Sequence, residues 1–423
     1  MRRYYIWTIG CQMNKADSQQ VANYLERAGL SEARSAGEAD LIVLNSCVVR
    51  EHAETKVVNK LNSLRGLKKS RPEVTIALTG CMVGSQPDHL KGRFPWVDLF
   101  FRPQQWEVLS KWGEAWGLPG MDAEEDLIPH TPCVTAYVPV IHGCDSFCSY
   151  CIVPYRRGRA RSRNPDEILR HVQELVQHGT KEVILLGQIV DAYGQDLPSE
   201  VDLADLLAAL NRIEGLLRIR FLTSHPSYMS RRLISAVADL DKVCEHISLP
   251  IQAGDNGILA AMKRGYTREQ YGELVKEIRC TIPGVALSTD VIVGFPGETN
   301  EQFTRTLEVL ERTRFDKVHI AAYSPRPETT AARNLKDDLR PEEKEARRAQ
   351  AESLQNRIAA QINAALLGQT VEVLVEGQQK GKWCGRTRGD KLVFFTGNAG
   401  VIGRLVNVRI EKTSAHALQG VAD

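Results

Sequence analysis

The 423-residue chain is 43% hydrophobic and 25% charged, with an ordinary 32 glycines and 18 prolines. This composition excludes disordered, collagen-like and coiled-coil classes, and at about 150 residues per domain it predicts about three domains. Fifty-four Lys and Arg against 52 Asp and Glu leave a formal charge of +2, so any surface for nucleic acid must be local.

The start Met1-Arg2-Arg3 precedes an apolar run too short for a signal peptide, and no window reaches the ~18 consecutive apolar residues that cross a bilayer. A cytoplasmic protein with no membrane role is expected. Ten cysteines in such a chain point to metal binding, catalysis or burial rather than to disulfides.

In the first 110 residues, Cys11, Cys47 and Cys81 lie 36 and 34 residues apart, each after a short β-rich apolar run (residues 4–9, 41–44 and 74–79). Helical spacing over residues 18–28 and 51–64 separates these runs, a β-α-β-α-β pattern. Such strands run parallel and end on one sheet edge, so three cysteines at equivalent strand ends can converge.

From about residue 135 six more strands are predicted, at 137–141, 182–186, 219–223, 246–249, 285–293 and 317–323. Helical stretches at 165–177, 202–211, 230–240, 267–280 and 301–312 separate them, which predicts a parallel α/β barrel or part of one. Residues 341–367 read as one long linking helix. After it, short strands at 370–375, 382–387, 391–396 and 405–410 predict a small all-β barrel. The fold expected is therefore α/β, in three domains at 1–118, 130–365 and 366–423.

The strongest local signal is Gly143-Cys144-Asp145-Ser146-Phe147-Cys148-Ser149-Tyr150-Cys151, a C-x3-C-x2-C pattern directly after the first barrel strand. Three such thiolates can hold a cubane iron–sulfur cluster by three irons and leave the fourth open. A structural zinc site is the alternative. It needs a fourth ligand, and His142, just before Gly143, has poor reach.

The triplet after the first strand of a parallel barrel resembles the radical S-adenosylmethionine superfamily. The wider set of motifs resembles its methylthiotransferase family: the three N-terminal cysteines, His142-Gly143-Cys144 through Arg157-Gly158-Arg159, Leu186-Gly187-Gln188, Thr223-Ser224-His225-Pro226, Met262-Lys263-Arg264-Gly265-Tyr266, Ser288-Thr289-Asp290, Val293-Gly294-Phe295-Pro296-Gly297-Glu298-Thr299 and Tyr323-Ser324-Pro325-Arg326. The resemblance covers nearly the whole chain. It implies two [4Fe–4S] clusters, an auxiliary one on Cys11, Cys47 and Cys81 and a radical one on Cys144, Cys148 and Cys151. It also implies a partial (β/α) barrel and a C-terminal TRAM barrel that binds RNA.

By the same resemblance, one S-adenosylmethionine supplies a methyl group and a second supplies a radical, with an external electron donor. Gly187, Gln188, Asp290 and Gly294 are the residues expected at that cofactor. No catalytic residue is expected beyond the cluster ligands, because an adenine C–H has no usefully acidic proton and sulfur insertion calls for hydrogen-atom abstraction.

Asn45-Ser46-Cys47-Val48-Val49-Arg50-Glu51 and Ile152-Val153-Pro154-Tyr155-Arg156-Arg157-Gly158-Arg159-Ala160-Arg161-Ser162-Arg163 are similar to the branch that acts on isopentenylated adenosine in the tRNA anticodon stem-loop. The threonylcarbamoyl-adenosine branch, the branch that modifies a ribosomal-protein aspartate, and a zinc-containing RNA-binding protein are the alternatives. A monomer is expected.

Arg156, Arg157, Arg159, Arg161 and Arg163 place five guanidiniums within eight residues, which predicts phosphate contacts to RNA. Residues 366–423 hold eight Lys and Arg against five acids, a modest excess. Cys133, Cys244, Cys280 and Cys384 have no partner at ligand spacing and are expected to be structural, as buried free cysteines usually are. Chain pattern departs from the family at Phe100-Phe101-Arg102 and at Ile251-Gln252-Ala253-Gly254-Asp255, and neither departure removes a cysteine.

Overall fold

The computed structural model describes residues 2–48, 51–84, 87–103, 105–117, 133–397 and 402–422, without the side chains of Glu51, His52, Trp106 and Glu107. Val49 and Arg50, and the expected domain boundaries at 118 and 130, lie outside the described residues. The chain divides into two compact units. Residues 1–132, 142–145 and 151–160 form the first; 133–141, 146–150 and 161–423 form the second.

The first unit is built on a parallel sheet of five strands: β1 (Arg3–Thr8), β2 (Ser31–Glu32), β3 (Leu41–Ser46), β4 (Thr75–Gly80) and β5 (Leu99–Phe100), in spatial order 2-1-3-4-5. β3 and β4 are buried along their whole length, as continuous apolar runs in a parallel sheet should be. Ile42, Leu44, Ile76 and Leu78 enter one core, and Leu41, Val43 and Ala77 the other, so both faces of the sheet are covered.

Helix α1 spans Gln12–Arg27, six residues earlier than the apolar spacing predicts. Its first turns bury Asn14 and Asp17, polar residues that carry no apolar period, and each has a hydrogen-bond or ionic partner in the interior. β2 and β5 are two-residue edge strands without a readable pattern of their own.

The second unit contains the six expected parallel strands, Thr135–Pro139, Glu182–Leu186, Arg218–Phe221, His246–Ser248, Ala286–Val293 and Lys317–Ala322. They form two three-stranded sheets, joined where Ser224 N–H donates to Ser248 O at 2.9 Å and Cys244 N–H to Ile219 O at 2.9 Å. Helices between them present amphipathic faces to the strands, and several begin on a side-chain cap. Asp202 and Thr267 each close a reciprocal capping box.

After the long helix Pro341–Ala364 comes a closed barrel of five strands, Thr370–Gln379, Lys382–Arg386, Leu392–Thr396, Leu405–Thr413 and Leu418–Ala422. The fifth strand was not expected from sequence, because Gly420 interrupts a run of only five residues. This barrel belongs to the same compact unit as the six strands.

Buried arginines tie the two parts of this unit together. Arg218 Nη1 donates to Arg386 O at 2.6 Å and Nη2 to Glu372 Oε1 at 2.9 Å. Arg220, paired with buried Glu182 at 2.9 Å, donates to the carbonyls of Thr387 and Arg388. In return Arg388 grips both carboxylate oxygens of Glu245 at 2.7 Å, and Lys391 pairs with Asp316 at 2.6 Å. Two of the eight basic residues counted for the C-terminal barrel are thus spent on internal packing. Of the four unassigned cysteines, Cys244 is buried as expected, whereas Cys280, at the polar end of its helix, is exposed.

Because Glu182 would be left as an uncompensated buried charge, Arg220→Met is expected to destabilise the unit by about 3–5 kcal/mol. Urea unfolding of wild type and variant checks this; a loss under about 1 kcal/mol would show the pair to be dispensable.

Candidate cluster sites and the family of the chain

The register of the first sheet fixes where the N-terminal cysteines stand. Thr8 lies opposite Asn45 and Ser46 opposite Gly80, so Cys47 and Cys81 emerge side by side one residue beyond a paired position. Cys11 forms the N-cap of α1, directly beyond β1. Cys81 N–H donates to Ser46 O at 2.9 Å. A side chain at Gly80, whose φ is +89°, would put a Cβ 2.3 Å from Ser46 O, so only glycine allows the strands to close here.

A buried polar lattice holds this edge. Asn14 Nδ2 donates to Asn45 Oδ1 at 2.8 Å and to Ser46 O at 2.9 Å, while Asn45 Nδ2 donates to Asn14 O at 2.7 Å and Ser18 Oγ at 2.9 Å. Ser46 Oγ donates to Thr79 O and accepts from Met82 N–H. Cys11 Sγ donates to Asn14 Oδ1 at 3.3 Å. Sequence reasoning missed Asn14 and Ser18. Their only signal is polarity in a segment that would otherwise begin an amphipathic helix.

Burial pushes the Cys81 thiol up to about 11, the nearby Arg157 guanidinium pulls it down, and Cys11 and Cys47 are close enough to push it up further. Arg157, expected to contact RNA phosphates, is instead buried. Its Nη2 pairs with buried Asp17 at 2.7 Å and its Nε donates to Cys81 Sγ at 3.4 Å. The reason is local: the short helix Val153–Arg157 packs Ile152 and Tyr155 into the core beneath the strands, and that carries the guanidinium inward.

Its neighbours differ. Arg156 rests close to Gly84, Arg159 is exposed and pairs with Asp145 at 2.7 Å, Arg161 is exposed, and half-buried Arg163 donates to Pro139 O at 3.1 Å.

The unit boundary passes through the C-x3-C-x2-C loop, giving Cys144 and Cys151 to the first unit and Cys148 to the second. In the first, Cys144 N–H donates to Gly158 O at 3.1 Å. In the second, buried Cys148 accepts from Arg264 Nη1 at 3.3 Å, while Arg264 also donates to Pro250 O and Tyr266 Oη. Ser149 is pinned by hydrogen bonds to Met262 O and Ala261 O and from Ala331 N–H.

Among the described residues no three His, Cys, Asp or Glu side chains converge at the spacing of a single-ion site. Thiolates that each bind a different iron of one cluster stand farther apart than thiolates sharing one ion.

Of the expected cofactor residues, Gly187 and Gln188 follow the strand Glu182–Leu186, with Gly187 against Ile141. Asp290 lies within Ala286–Val293, and Gly294, just after it, packs on Lys344. Gln188 Oε1, and Ser224 Oγ past the end of the neighbouring strand, are buried without a partner among the described residues, a pattern that suits a polar ligand. Beside them Asp191 accepts the His225 N–H at 3.0 Å on both oxygens. Burial raises Asp191 to about 8. Burial, then the Arg264 charge, lowers His225 to about 3, so its imidazole is neutral near pH 7 and its Nδ1 accepts from Ser227 N–H.

Three family models match in chain order: uncharacterized protein family UPF0004 over residues 3–102, the radical SAM superfamily over 138–310 and the TRAM domain over 364–422. A protein of Dehalococcoides mccartyi named tRNA-2-methylthio-N(6)-dimethylallyladenosine synthase is 51% identical over 419 residues, 99% of this chain and 98% of that one. One of the same name from Roseiflexus is 50% identical over 430 residues, 99% and 89% of the two chains. The chain belongs to this family.

Its radical SAM domain implies S-adenosylmethionine and a [4Fe–4S] cluster. Among solved structures, the radical S-adenosylmethionine methyltransferase TsrM of Kitasatospora setae, with cobalamin and a [4Fe–4S] cluster bound, matches with a TM-score of 0.58 at 14% identity. That match covers 78% of this chain and 77% of TsrM, and shows the fold. The enzyme OxsB matches with a TM-score of 0.53 at 12% identity, over 78% of this chain and 55% of its own.

The depressed His225 predicts a pH slope. Its contribution to stability is fully present above pH 6.5 and is lost as pH falls toward 3, because the unfolded imidazole takes up a proton that the folded one refuses. Between pH 7 and 5 the cluster-free wild type should lose at least about 1 kcal/mol more than His225→Gln, read from urea midpoints. Equal slopes would contradict the depressed imidazole.

Proposed function

We propose that this chain is a tRNA methylthiotransferase that places a methylthio group on C2 of isopentenylated adenosine beside the anticodon. The observation that carries the reading is the placement of Cys11, Cys47 and Cys81 beyond three neighbouring parallel strands, in a chain that also bears the C-x3-C-x2-C loop. The names of the close relatives support the substrate. Cys144, Cys148 and Cys151 would hold the radical cluster, and Cys11, Cys47 and Cys81 an auxiliary [4Fe–4S] cluster. Thr79 Oγ1, at the end of β4, is buried without a partner among the described residues, which suits a group beyond the protein atoms.

When bound, S-adenosylmethionine and the two clusters supply the methyl group, the radical and the site that carries sulfur. The protein's own residues hold and shield. Arg264 keeps Cys148 in place from its buried position, and the Asn14–Asn45–Ser46 lattice does the same for the N-terminal cysteines. Gln188, Ser224, Gly187 and Asp290 are proposed to line the cofactor, with Gly294 bracing the turn behind them through its N–H to Glu298 at 2.6 Å.

Neutral His225 adds no second positive charge beside Arg264, which suits a site for a cationic sulfonium. The TRAM barrel, locked to the radical domain through Arg218, Arg220 and Arg388, is suited to delivering an anticodon-loop base rather than tumbling on a linker. The exposed Arg159 and Arg161 are proposed phosphate contacts, with Arg156 and Arg163 beside them. Reductive cleavage needs an external electron donor. Acting on tRNA places such an enzyme in the cytoplasm, and since all six cysteines come from one chain a monomer suffices. Among the described residues no helix is long and apolar enough to cross a membrane.

Reconstituted, reduced protein given S-adenosylmethionine and isopentenylated tRNA should yield 2-methylthio-adenosine in the RNA digest. Cys148→Ala should abolish 5′-deoxyadenosine formation, whereas Cys81→Ala should keep it and lose the methylthio product. Cofactor cleavage with no RNA product from the wild type would move the substrate to threonylcarbamoyl-adenosine or a protein aspartate.

Arg161→Ala should weaken tRNA binding and lower the salt slope of log K by about one contact's worth. A filter-binding series in salt reads this, and an unchanged slope removes Arg161 from the RNA surface.

A further inference from the structure

Arg157, Arg218, Arg220 and Arg347 are deeply buried, and each holds a carboxylate within 2.9 Å, Asp17, Glu372, Glu182 and Glu298 in turn. Arg264 is buried as they are, and among the described residues it has no such partner. Its acceptors are Tyr266 Oη at 2.9 Å, Pro250 O at 3.1 Å and Cys148 Sγ at 3.3 Å, none of them a carboxylate. Its charge reaches Asp191, but burial holds that carboxyl up to about 8, so near pH 7 it is mostly neutral. A buried cation is strongly unfavourable without a counter-charge, so its place here calls for a negative group other than a carboxylate side chain.

The backbone fixes Arg264 where it stands. It lies in the turn after the helix Asn256–Ala261, between Lys263 at φ +57° and Gly265 at φ +72°. A lysine is uncommon in that left-handed region, and it persists there where the surroundings over-determine it. Here they do: Arg264 N–H donates to Leu259 O at 3.0 Å, and two carbonyls of the same turn, Met262 O and Ala261 O, accept from the N–H and the hydroxyl of Ser149, the residue after Cys148. One turn thus holds both the neighbour of the cysteine and the guanidinium that donates to its sulfur.

We propose that Arg264 is a positioning residue of the radical cluster, whose fixed charge is the counter-ion of the cluster on Cys144, Cys148 and Cys151 and raises its reduction potential. The inference rests on the reading of those three cysteines as its ligands. Three thiolates leave a cubane cluster with net negative charge, and the electron that starts reductive cleavage adds to it. A cation donating to a ligand sulfur in a low-dielectric interior favours the more negative state. The cluster gains one electron and the external one-electron donor loses one, while Arg264, which cannot deprotonate, exchanges neither proton nor bond.

The test uses the full chain, reconstituted in a Cys81→Ala background so that the radical cluster alone is present. Iron is counted first. About four irons per chain that are lost on adding Cys148→Ala uphold the ligand reading, and irons that survive Cys148→Ala defeat that reading itself. The cluster potential is then measured by redox titration followed by electron paramagnetic resonance, in the background and with Arg264→Gln or Arg264→Lys added. Expected for Arg264→Gln is a cluster at least tenfold harder to reduce, about 59 mV more negative for one electron. Arg264→Lys, which keeps the charge but not the fork, should shift less.

A Gln variant closer than that to the background potential overturns the proposal. Equal shifts in the Gln and Lys variants overturn it as well, since they trace to lost geometry rather than lost charge. If the Gln variant alone loses the cluster while the Lys variant stays near the background potential, charge is what the cluster needs and the proposal stands. Loss from both makes Arg264 a structural fastener of Cys148 and overturns it equally.

Discussion

The cluster reading of the first unit depends on the in-register parallel pairing of β1, β3 and β4. A shift of one residue in that pairing would take Cys47 and Cys81 out of step with each other where they leave the sheet. The pairing is held from both ends of the problem. Apolar runs bury β3 and β4 completely, which sets which residues face each core. At the carboxyl ends, where the apolar signal stops, Asn14, Asn45 and Ser46 take over with side-chain hydrogen bonds that are correct only in this register. Gly80 completes the fit by letting β4 approach Ser46 without a Cβ.

Arginine does two opposed jobs in this chain, separated by burial. Arg218, Arg220 and Arg388 are internal fasteners whose terminal guanidinium nitrogens donate to carbonyls and carboxylates, and they tie the six-stranded domain and the C-terminal barrel within one compact unit. Arg157 and Arg264 each set a guanidinium nitrogen 3.3–3.4 Å from a cysteine sulfur, one beside the N-terminal set and one beside the radical loop. Both lie next to thiols that are expected to be thiolates when ligated, where a fixed cation in a low-dielectric interior acts most strongly. The exposed Arg159 and Arg161, proposed to meet a polyanion, stand where screening by salt would make their contribution adjustable.

Much of the site was legible because cysteine spacing and strand ends are one-dimensional signals. The C-x3-C-x2-C loop, the three spaced cysteines and the six barrel strands could all be read from residue type and period. Two-residue edge strands, the first turns of α1 and the last barrel strand could not, because each has too few apolar positions to show a period. The arginine run was read as one surface, since sequence reports charge and not direction. A guanidinium two residues from an exposed one can point the opposite way when its helix packs Ile152 and Tyr155 into a core.

By itself the sequence determined the fold class and the order of the parts, and it singled out six candidate cysteines, for these are read from hydrophobic period, composition and spacing along the chain. Only the tertiary structure decided which charges are inside. The pairing of Arg157 with Asp17, 140 residues apart, and of Arg220 with Glu182 arises from strand register and helix packing. The desolvation that gives these charges their strength exists only once distant segments have closed over them.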